Sequence, residues 1–264
     1  MGRVTARRRV VRVRDGRTSA RADAVAVEEP LVVRVDEATL TLTMRTPGDD
    51  FDLVAGWLVS EGAVAQPSDI VRMRLCPGEE NTVEVALAGG IDPPTPRAFA
   101  TTSACGVCGA DTIVEVRSAL RWTVADDPVS LDLDTLGKLP DLLRTHQRAF
   151  DRTGGLHAAG IFTATGEPVY VREDVGRHNA VDKVVGAALR DARLPMSGHT
   201  LQVSGRASFE LVHKAVQAGI PVLSAVSAPS SLAVDLAEEC GLTLLGFVRD
   251  GGMNVYSRRD RVVK

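Results

Sequence analysis

Two cysteines separated by two residues carry the clearest chemical signal in the sequence. Cys105 and Cys108 lie in residues 101–109, a run of small residues with no apolar side to bury. We therefore expect an exposed loop in which a thiolate can act as a nucleophile. The other two cysteines, Cys76 and Cys240, lie at a predicted strand end and on an apolar helix face. We expect both to act as small hydrophobic residues.

Three kinds of chemistry use two cysteines at this spacing. A structural zinc site needs about four ligands, and the sequence has neither a second such pair nor a spaced histidine pair. A thioredoxin-like dithiol opens a helix, which the glycines flanking both thiols disfavour. The third kind is sulfur carriage, in which one cysteine holds a persulfide and the second resolves it by exchange. The spacing alone does not choose among them, and we predict no structural metal.

Zinc deaminases also combine such a cysteine pair with an α/β fold. Their chemistry needs H-x-E followed by P-C-x-x-C. The sequence has His157-Ala-Ala and His178-Asn-Ala instead, and Ala104 stands where the proline belongs. Deaminase chemistry is therefore not expected.

Glycine- and serine-bearing turns follow three predicted strands in the second half of the chain. The first contains Ser204 and Arg206, the second covers residues 227–231, and the third covers residues 249–254. Backbone N–H groups at a helix start, with a flexible glycine and an arginine nearby, suit a phosphate. If the strands are parallel, all three turns lie at the edge where open α/β sheets bind ligands. Together they favour a nucleotide or a phosphate-bearing cofactor.

A polar segment, residues 173–183, leads into a helix with an apolar stripe. Asp174 or Asn179 could cap that helix while Arg177 pairs with a nearby acid. Alternatively, His178 could donate a hydrogen bond to a ligand. The sequence leaves both readings open.

The pattern of the elements predicts an α/β fold in two parts. Strand-like alternation at residues 31–35 and 39–44 predicts a hairpin, covered by an amphipathic helix from about Phe51 to Val59. Strands at residues 71–75 and 82–87 and a proline-rich segment at 92–96 follow. After a helix over residues 133–150, strands and helices alternate. We predict a strand-rich domain over residues 1–130, containing the cysteine loop, and an α/β domain with a mixed sheet over residues 131–264.

Composition and charge exclude several classes of protein. The chain is 44% hydrophobic and 25% charged and has no stretch of about 18 apolar residues, so we expect a cytoplasmic protein with no membrane partner. The first 21 residues hold eight arginines against Asp15, about +7, leaving about −10 for the remainder. The near-alternation of arginine and valine in residues 9–14 predicts a half-buried edge strand there. With no recognisable nucleic-acid module, no nucleic-acid partner is expected.

Over residues 28–256 the chain resembles the FdhD family, the formate dehydrogenase accessory sulfurtransferases. The resemblance rests on motifs in a common order: Pro47-Gly48-Asp49-Asp50 with Ser60-Glu61-Gly62, Cys105-Gly106-Val107-Cys108-Gly109, residues 153–159, residues 173–183, residues 204–210, and Gly246-Phe247-Val248-Arg249.

This resemblance implies a sulfurtransferase that takes sulfur from a cysteine desulfurase. It delivers the sulfur to the molybdenum cofactor, molybdenum bis-molybdopterin guanine dinucleotide, before insertion into formate dehydrogenase. Cys105 matches the persulfide-bearing position and Cys108 its partner. The cofactor-binding segment matches Phe247, Val248, Arg249, Asp250, Gly251 and Gly252. The resemblance also implies a homodimer and a cytidine-deaminase-like C-terminal fold.

The alternative is a non-enzymatic chaperone that binds the cofactor and docks on formate dehydrogenase. In that case the cysteines only support their loop.

Overall fold

The computed structural model describes residues 3–36, 38–96 and 120–264. The cysteine loop at residues 101–109, with Cys105 and Cys108, lies outside the described residues.

The N-terminal arginine-rich segment forms an isolated two-stranded ribbon. Strands β1 (Thr5–Arg14) and β2 (Arg17–Ala26) pair antiparallel through a tight turn at Asp15 and Gly16. The predicted strand is present, but the prediction that it is half-buried is wrong, since Val11 and Val13 are 68% and 67% exposed. The reason is that β1 pairs only with β2 and joins no larger sheet.

A four-stranded sheet follows, in the order β4-β3-β6-β5. Its strands are β3 (Glu29–Val35), β4 (Ala38–Arg45), β5 (Ile70–Leu75) and β6 (Thr82–Leu87). The predicted hairpin of β3 and β4 is confirmed, as are both later strands.

Helix α1 (Asp50–Ser60) was expected to be amphipathic, but every residue from Asp52 to Ser60 is buried. The second half of the chain covers the side of α1 that does not face the four-stranded sheet. A Cβ added at Gly56 would lie 1.8 Å from the carbonyl oxygen of Asp182, and one at Gly186 would lie 1.8 Å from that of Asp52. Glycine at both positions therefore lets α1 touch the backbone of helix α4 (Arg177–Arg190).

The second half is built on a six-stranded mixed sheet in the order β13-β12-β11-β10-β8-β9. Its strands are β8 (His157–Phe162), β9 (Pro168–Asp174), β10 (Thr200–Val203), β11 (Val222–Ala225), β12 (Thr243–Arg249) and β13 (Gly252–Ser257). Strands β10, β11 and β12 are parallel to one another, and the other pairs are antiparallel. The predicted mixed sheet with intervening helices is confirmed.

Helices cover both faces of this sheet. Helices α4, α5 (Phe209–Gln217) and α6 (Ser231–Cys240) pack on one face. The helix predicted over residues 133–150 is split into α2 (Leu133–Thr145) and α3 (Arg148–Thr153). Helix α2 packs on the opposite face, and the short strands β7 (Leu131–Asp132) and β14 (Val262–Val263) pair beside it.

One hydrophobic core runs through both halves of the chain. It extends from Leu31 in the N-terminal sheet through α1 and α4 to Leu244 in the C-terminal sheet, and it includes Cys240 as expected. A smaller core lies under α2. Within the part of the chain that the structure describes, no helix has the length and apolar character needed to cross a bilayer.

Candidate functional site

The three predicted turns lie side by side at one edge of the C-terminal sheet. Because β10, β11 and β12 are parallel, the turns that follow them all lie at their carboxyl ends. Backbone hydrogen bonds join them: Ser227 N donates to Gly205 O at 3.3 Å, and Phe247 N donates to Ser227 O at 3.3 Å. The turns are therefore held as one surface.

The third turn differs in kind from the first two. It connects β12 to the antiparallel β13 as a hairpin, with Asp250 and Gly251 at φ of 51° and 73°. No helix starts there, so this turn contributes side chains and turn amides rather than a helix terminus. Gly251 packs against α2, since a Cβ added at Gly137 would lie 3.5 Å from its Cα.

A cavity of about 650 Å³, the edge cavity, lies over this surface. Its walls come from α2, α3, the loop after α3 and the turns after β10 and β12. Three predicted site residues line it together, namely Ser204, Arg249 and Asp250. Residues that the sequence did not assign complete the wall: Asp141, Arg144, Gln147, Phe150, Gly154, Gly155 and His157.

The charges and rings of the edge cavity suit a phosphorylated ligand with a planar ring. The Arg144 guanidinium lies 4.7 Å from the centre of the Phe150 ring and pairs with Asp151. Arg249 supplies a second guanidinium, exposed at the strand end. Arginine binds phosphate with paired hydrogen bonds, and a flat aromatic or guanidinium surface stacks on a base.

The other predicted residues are close to the edge cavity but do not line it. Phe247 is 38% exposed and has a φ of 54°, a conformation that a non-glycine residue rarely adopts and that is common at functional sites. Val248 is fully buried and anchors the strand end in the core under α2. Gly252 begins β13, and Arg206 is exposed in the first turn.

A sequence motif could have identified some of the cavity-lining residues that were not predicted. Gly154, Gly155 and His157 belong to one of the motifs shared with the FdhD family, yet no role was predicted for them. Gly154 ends α3 with a φ of 65°, which turns the chain into β8 along the cavity. Arg144 and Phe150 carried no signal, because their position depends on the break between α2 and α3.

The structure also explains most of the polar segment at residues 173–183. The Glu173 carboxylate accepts the backbone N–H groups of Ala149 and Phe150 at 2.8 and 2.7 Å, which caps α3. Asp174 accepts the N–H groups of Thr46 and Gly176. The prediction that Asp174 or Asn179 is the capping residue of α4 is wrong, since Gly176 is the N-cap residue.

Two buried ion pairs lie in the second half of the chain, and each is also hydrogen-bonded to the first half, at Thr46 and at Ser60. Lys183 Nζ lies 2.7 Å from Asp174 Oδ2 and donates to the carbonyl oxygen of Thr46. Lys214 Nζ donates to both carboxylate oxygens of Asp182 at 2.8 and 2.9 Å. Burial raises the pKa of Asp182 to about 6, against the lowering effect of Lys214. These groups are structural. His178 Nε2 lies 3.3 Å from Ser208 Oγ and 3.4 Å from Glu210 Oε2, whereas the buried Nε of Arg177 has no hydrogen-bond partner among the described residues.

Comparisons with known proteins agree with this fold. The family model for the FdhD/NarQ family matches residues 26–263. The chain is 57% identical to the sulfur carrier protein FdhD of Streptomyces coelicolor, over 99% of this chain and 97% of that one. It is 49% identical to the protein of the same name from Mycobacterium tuberculosis, over 99% and 100%. With that from Sulfolobus acidocaldarius it shares 41% identity, over 96% and 97%.

The fold is also that of a solved structure. A crystal structure named for a formate dehydrogenase accessory protein, from Desulfotalea psychrophila, matches with a TM-score of 0.80 at 24% identity, over 99% of this chain and 100% of that one. At this identity the match shows the fold alone, whereas the family model and the relatives cover nearly the whole sequence. The chain therefore belongs to the FdhD/NarQ family.

Proposed function

We propose that the protein is a sulfurtransferase that carries sulfur for the maturation of formate dehydrogenase. It takes sulfur from a cysteine desulfurase as a persulfide on Cys105 and passes it to the molybdenum bis-molybdopterin guanine dinucleotide cofactor. The observation that carries the proposal is the edge cavity, where Ser204, Arg249 and Asp250 meet beside Arg144 and Phe150. The names of the relatives, sulfur carrier proteins at 41–57% identity, support it.

The proposed chemistry needs two thiols. The Cys105 thiolate attacks the outer sulfur of the desulfurase persulfide, the donor S–S bond breaks, and the donor cysteine leaves as a thiolate. Cys108 then attacks the inner sulfur of the Cys105 persulfide. The outer sulfur leaves as hydrosulfide, and a Cys105–Cys108 disulfide forms, which supplies the two electrons. A cellular dithiol reduces this disulfide for the next cycle.

The edge cavity would hold one guanine nucleotide of the cofactor. A volume of about 650 Å³ falls within the roughly 300–1,000 Å³ of small-ligand sites. Arg144 and Arg249 would face the phosphates, Phe150 would stack on the base, and the exposed ring of Phe247 lies on the same sheet edge. The second guanine nucleotide would extend beyond this cavity. The homodimer, the cytoplasmic location and the deaminase-like C-terminal fold belong to the same proposal.

Calorimetric titration with guanosine diphosphate tests the cavity, with adenosine diphosphate as the comparison. We expect the guanine nucleotide to bind more tightly, and Arg249→Gln to weaken its binding by about tenfold or more because a charge-assisted phosphate contact is lost. The matched control is Arg72→Gln, an exposed arginine on β5. Equal, salt-sensitive binding of both nucleotides would reduce the cavity to a general anion surface.

The second candidate is a cofactor-binding chaperone without sulfur transfer. The specific observation in its favour is that described residues alone supply guanidinium and aromatic groups to the walls of the edge cavity. The two candidates differ in one property, whether Cys105 becomes a persulfide.

A further inference from the structure

A second cavity of about 380 Å³, the α4 pocket, lies between strand β4, helix α1 and the start of helix α4. Its lining includes Thr41, Trp57, His157, Arg177, His178 and Glu210. His157 and Val175 also line the edge cavity, so the two cavities are neighbours. No predicted cofactor residue lies in the α4 pocket.

The pocket contains the N-terminus of a long helix. Helix α4 has 14 residues, its N-cap residue is Gly176, and its first turn has no acidic residue. The Asp174 carboxylate accepts the Gly176 N–H at 2.8 Å, but its charge is balanced by Lys183. The first N–H groups of a helix have no partner within the helix, and the helix dipole places a partial positive charge there. This end of α4 therefore favours an anion.

Arg177 adds a full positive charge at the same place. Its Nε is buried and has no hydrogen-bond partner among the described residues. The predicted pairing of Arg177 with a nearby acid is not found in the described part of the chain. Arg177 also helps to lower the pKa of both His157 and His178, after burial as the larger cause, so its charge acts on both rings.

A buried hydroxyl in the same pocket also lacks a partner. Thr41 is only 3% exposed, and its Oγ1 has no hydrogen-bond partner in the described residues. Thr43, two residues later on β4, donates to Asn179 Oδ1 at 3.3 Å. Side chains two apart on a strand point the same way, so Thr41 also faces α4. A buried hydroxyl without a partner is costly, and a ligand oxygen would satisfy it.

Three acids line the pocket: Glu28, which is exposed, and Asp182 and Glu210, which have basic partners. Asp182 is held by Lys214 and by the hydroxyl of Ser60, which donates to it at 2.8 Å. Glu210 Oε2 lies 3.4 Å from His178 Nε2, and its Oε1 lies 3.8 Å from Lys214 Nζ. None of the three acids is the partner of the Arg177 Nε.

From these contacts we propose that the α4 pocket is a binding site for a small oxyanion, a phosphate or carboxylate group. The oxyanion is held by the N-terminal amides of α4 and by Arg177, and the rest of the ligand extends toward Thr41. The site is separate from the edge cavity and does not depend on sulfur transfer.

Thermal unfolding in a buffer free of phosphate and carboxylate tests the site. The probes are inorganic phosphate and, in a second arm, acetate, each matched in ionic strength with sodium chloride. A ligand that binds only the folded state raises Tm as its concentration rises above Kd. We expect phosphate, acetate or both to raise Tm above the chloride control. The anion that raises Tm identifies whether the site binds a phosphate or a carboxylate group. A wild-type protein that responds to neither anion contradicts the proposal.

Four variants locate the site. Arg177→Gln should abolish the Tm rise, whereas the exposed control Arg72→Gln and the edge-cavity variant Arg249→Gln should keep it. Thr41→Val should raise Tm without ligand, because an unsatisfied hydroxyl is removed, and should reduce the anion response. This variant also tests the site if Arg177→Gln fails to fold. A full response in Arg177→Gln, or loss of the response in Arg249→Gln instead, would overturn the proposal.

Discussion

At the scale of single residues, the protein should lose the most stability when one partner of a buried ion pair is removed. Lys183 is 1% exposed and Asp174 is fully buried. Lys183 also donates to the carbonyl oxygen of Thr46, which ties the loop after β4 to helix α4. Removing one partner of such a pair leaves an uncompensated buried charge.

We expect Lys183→Met to lower the free energy of unfolding by about 3–5 kcal/mol. The matched control is Arg74→Met, which breaks an exposed pair with Glu84 and should cost less than about 1 kcal/mol. Urea denaturation measures both. Similar losses in the two variants would show that the Asp174 pair is not buried as described.

His178 should contribute to the pH dependence of stability. Burial, with Lys214, Arg177 and His157, lowers its folded pKa from 6.5 to about 4, despite the nearby Glu210. At this residue the unfolded chain therefore binds more protons between pH 6.5 and 4, and the contribution of His178 to stability falls by about 3 kcal/mol as the pH falls, at about 1.36 kcal/mol per pKa unit. Asp182, with its pKa raised to about 6, acts in the opposite direction. His178→Gln should therefore lose less stability than wild type between pH 6.5 and 4, measured by denaturation in a buffer without oxyanions. An unchanged slope would contradict the assignment.

The sequence predicted part of the candidate site for a physical reason. Ser204, Arg249 and Asp250 were found because glycine- and serine-bearing turns after parallel strands have a known place in the fold. Arg144, Phe150 and His157 were not assigned, because they reach the edge cavity only through the break between α2 and α3 and through β8. That break depends on Glu173 capping α3 from 23 and 24 residues away, which no local pattern encodes.

At the scale of elements, the close contact of α1 with α4 holds the two halves together. Gly56 and Gly186 each face the backbone of the opposite helix. The helices form because apolar residues recur at helical spacing, but their approach needs two residues without side chains.

We expect Gly56→Ala to destabilise the protein by about 1–3 kcal/mol or more, because the added Cβ forces two backbones apart. Gly89→Ala is the control, since a Cβ there meets nothing within 4 Å, and it should change stability by less than about 0.5 kcal/mol. The melting temperatures of the two variants check this. Equal Tm values would mean that the helices separate at little cost.

Elements with a clear hydrophobic periodicity could be predicted from the sequence. Features that depend on tertiary contacts, such as the burial of an element, could not. The alternation in β3 and β4 and the stripe of α4 match the structure. The burial of α1 on all sides could not be predicted, because the second covering surface comes from residues more than 100 positions later in the chain. The exposure of β1 was also missed, since alternation indicates a strand but not its neighbours.

At the scale of the whole molecule, the described residues that follow the undescribed segment lie away from the edge cavity. Arg121 and Trp122 lie beside Gln217 at the end of α5. Helix α5 starts at the carboxyl edge of the sheet, so its end points away from that edge.

We expect nucleotide binding not to depend on the thiols. The double variant Cys105→Ala, Cys108→Ala should bind guanosine diphosphate within about twofold of the wild-type affinity, because described residues supply the guanidinium and aromatic groups of the edge cavity. Calorimetric titration of both proteins measures this. A tenfold loss in the double variant would place the loop at the nucleotide.

Mass spectrometry of the peptide containing residues 101–109 is the most direct test of sulfur carriage. The protein is incubated with a cysteine desulfurase, with and without cysteine, and digested without reductant. The account predicts an added mass of about 32 Da on Cys105, since a persulfide adds one sulfur atom. The added mass should be absent without cysteine and in Cys105→Ala, and it should persist in Cys108→Ala, which cannot resolve the persulfide. An unmodified Cys105 in wild type and Cys108→Ala, with the desulfurase active, would contradict sulfur carriage and leave the cofactor-binding chaperone.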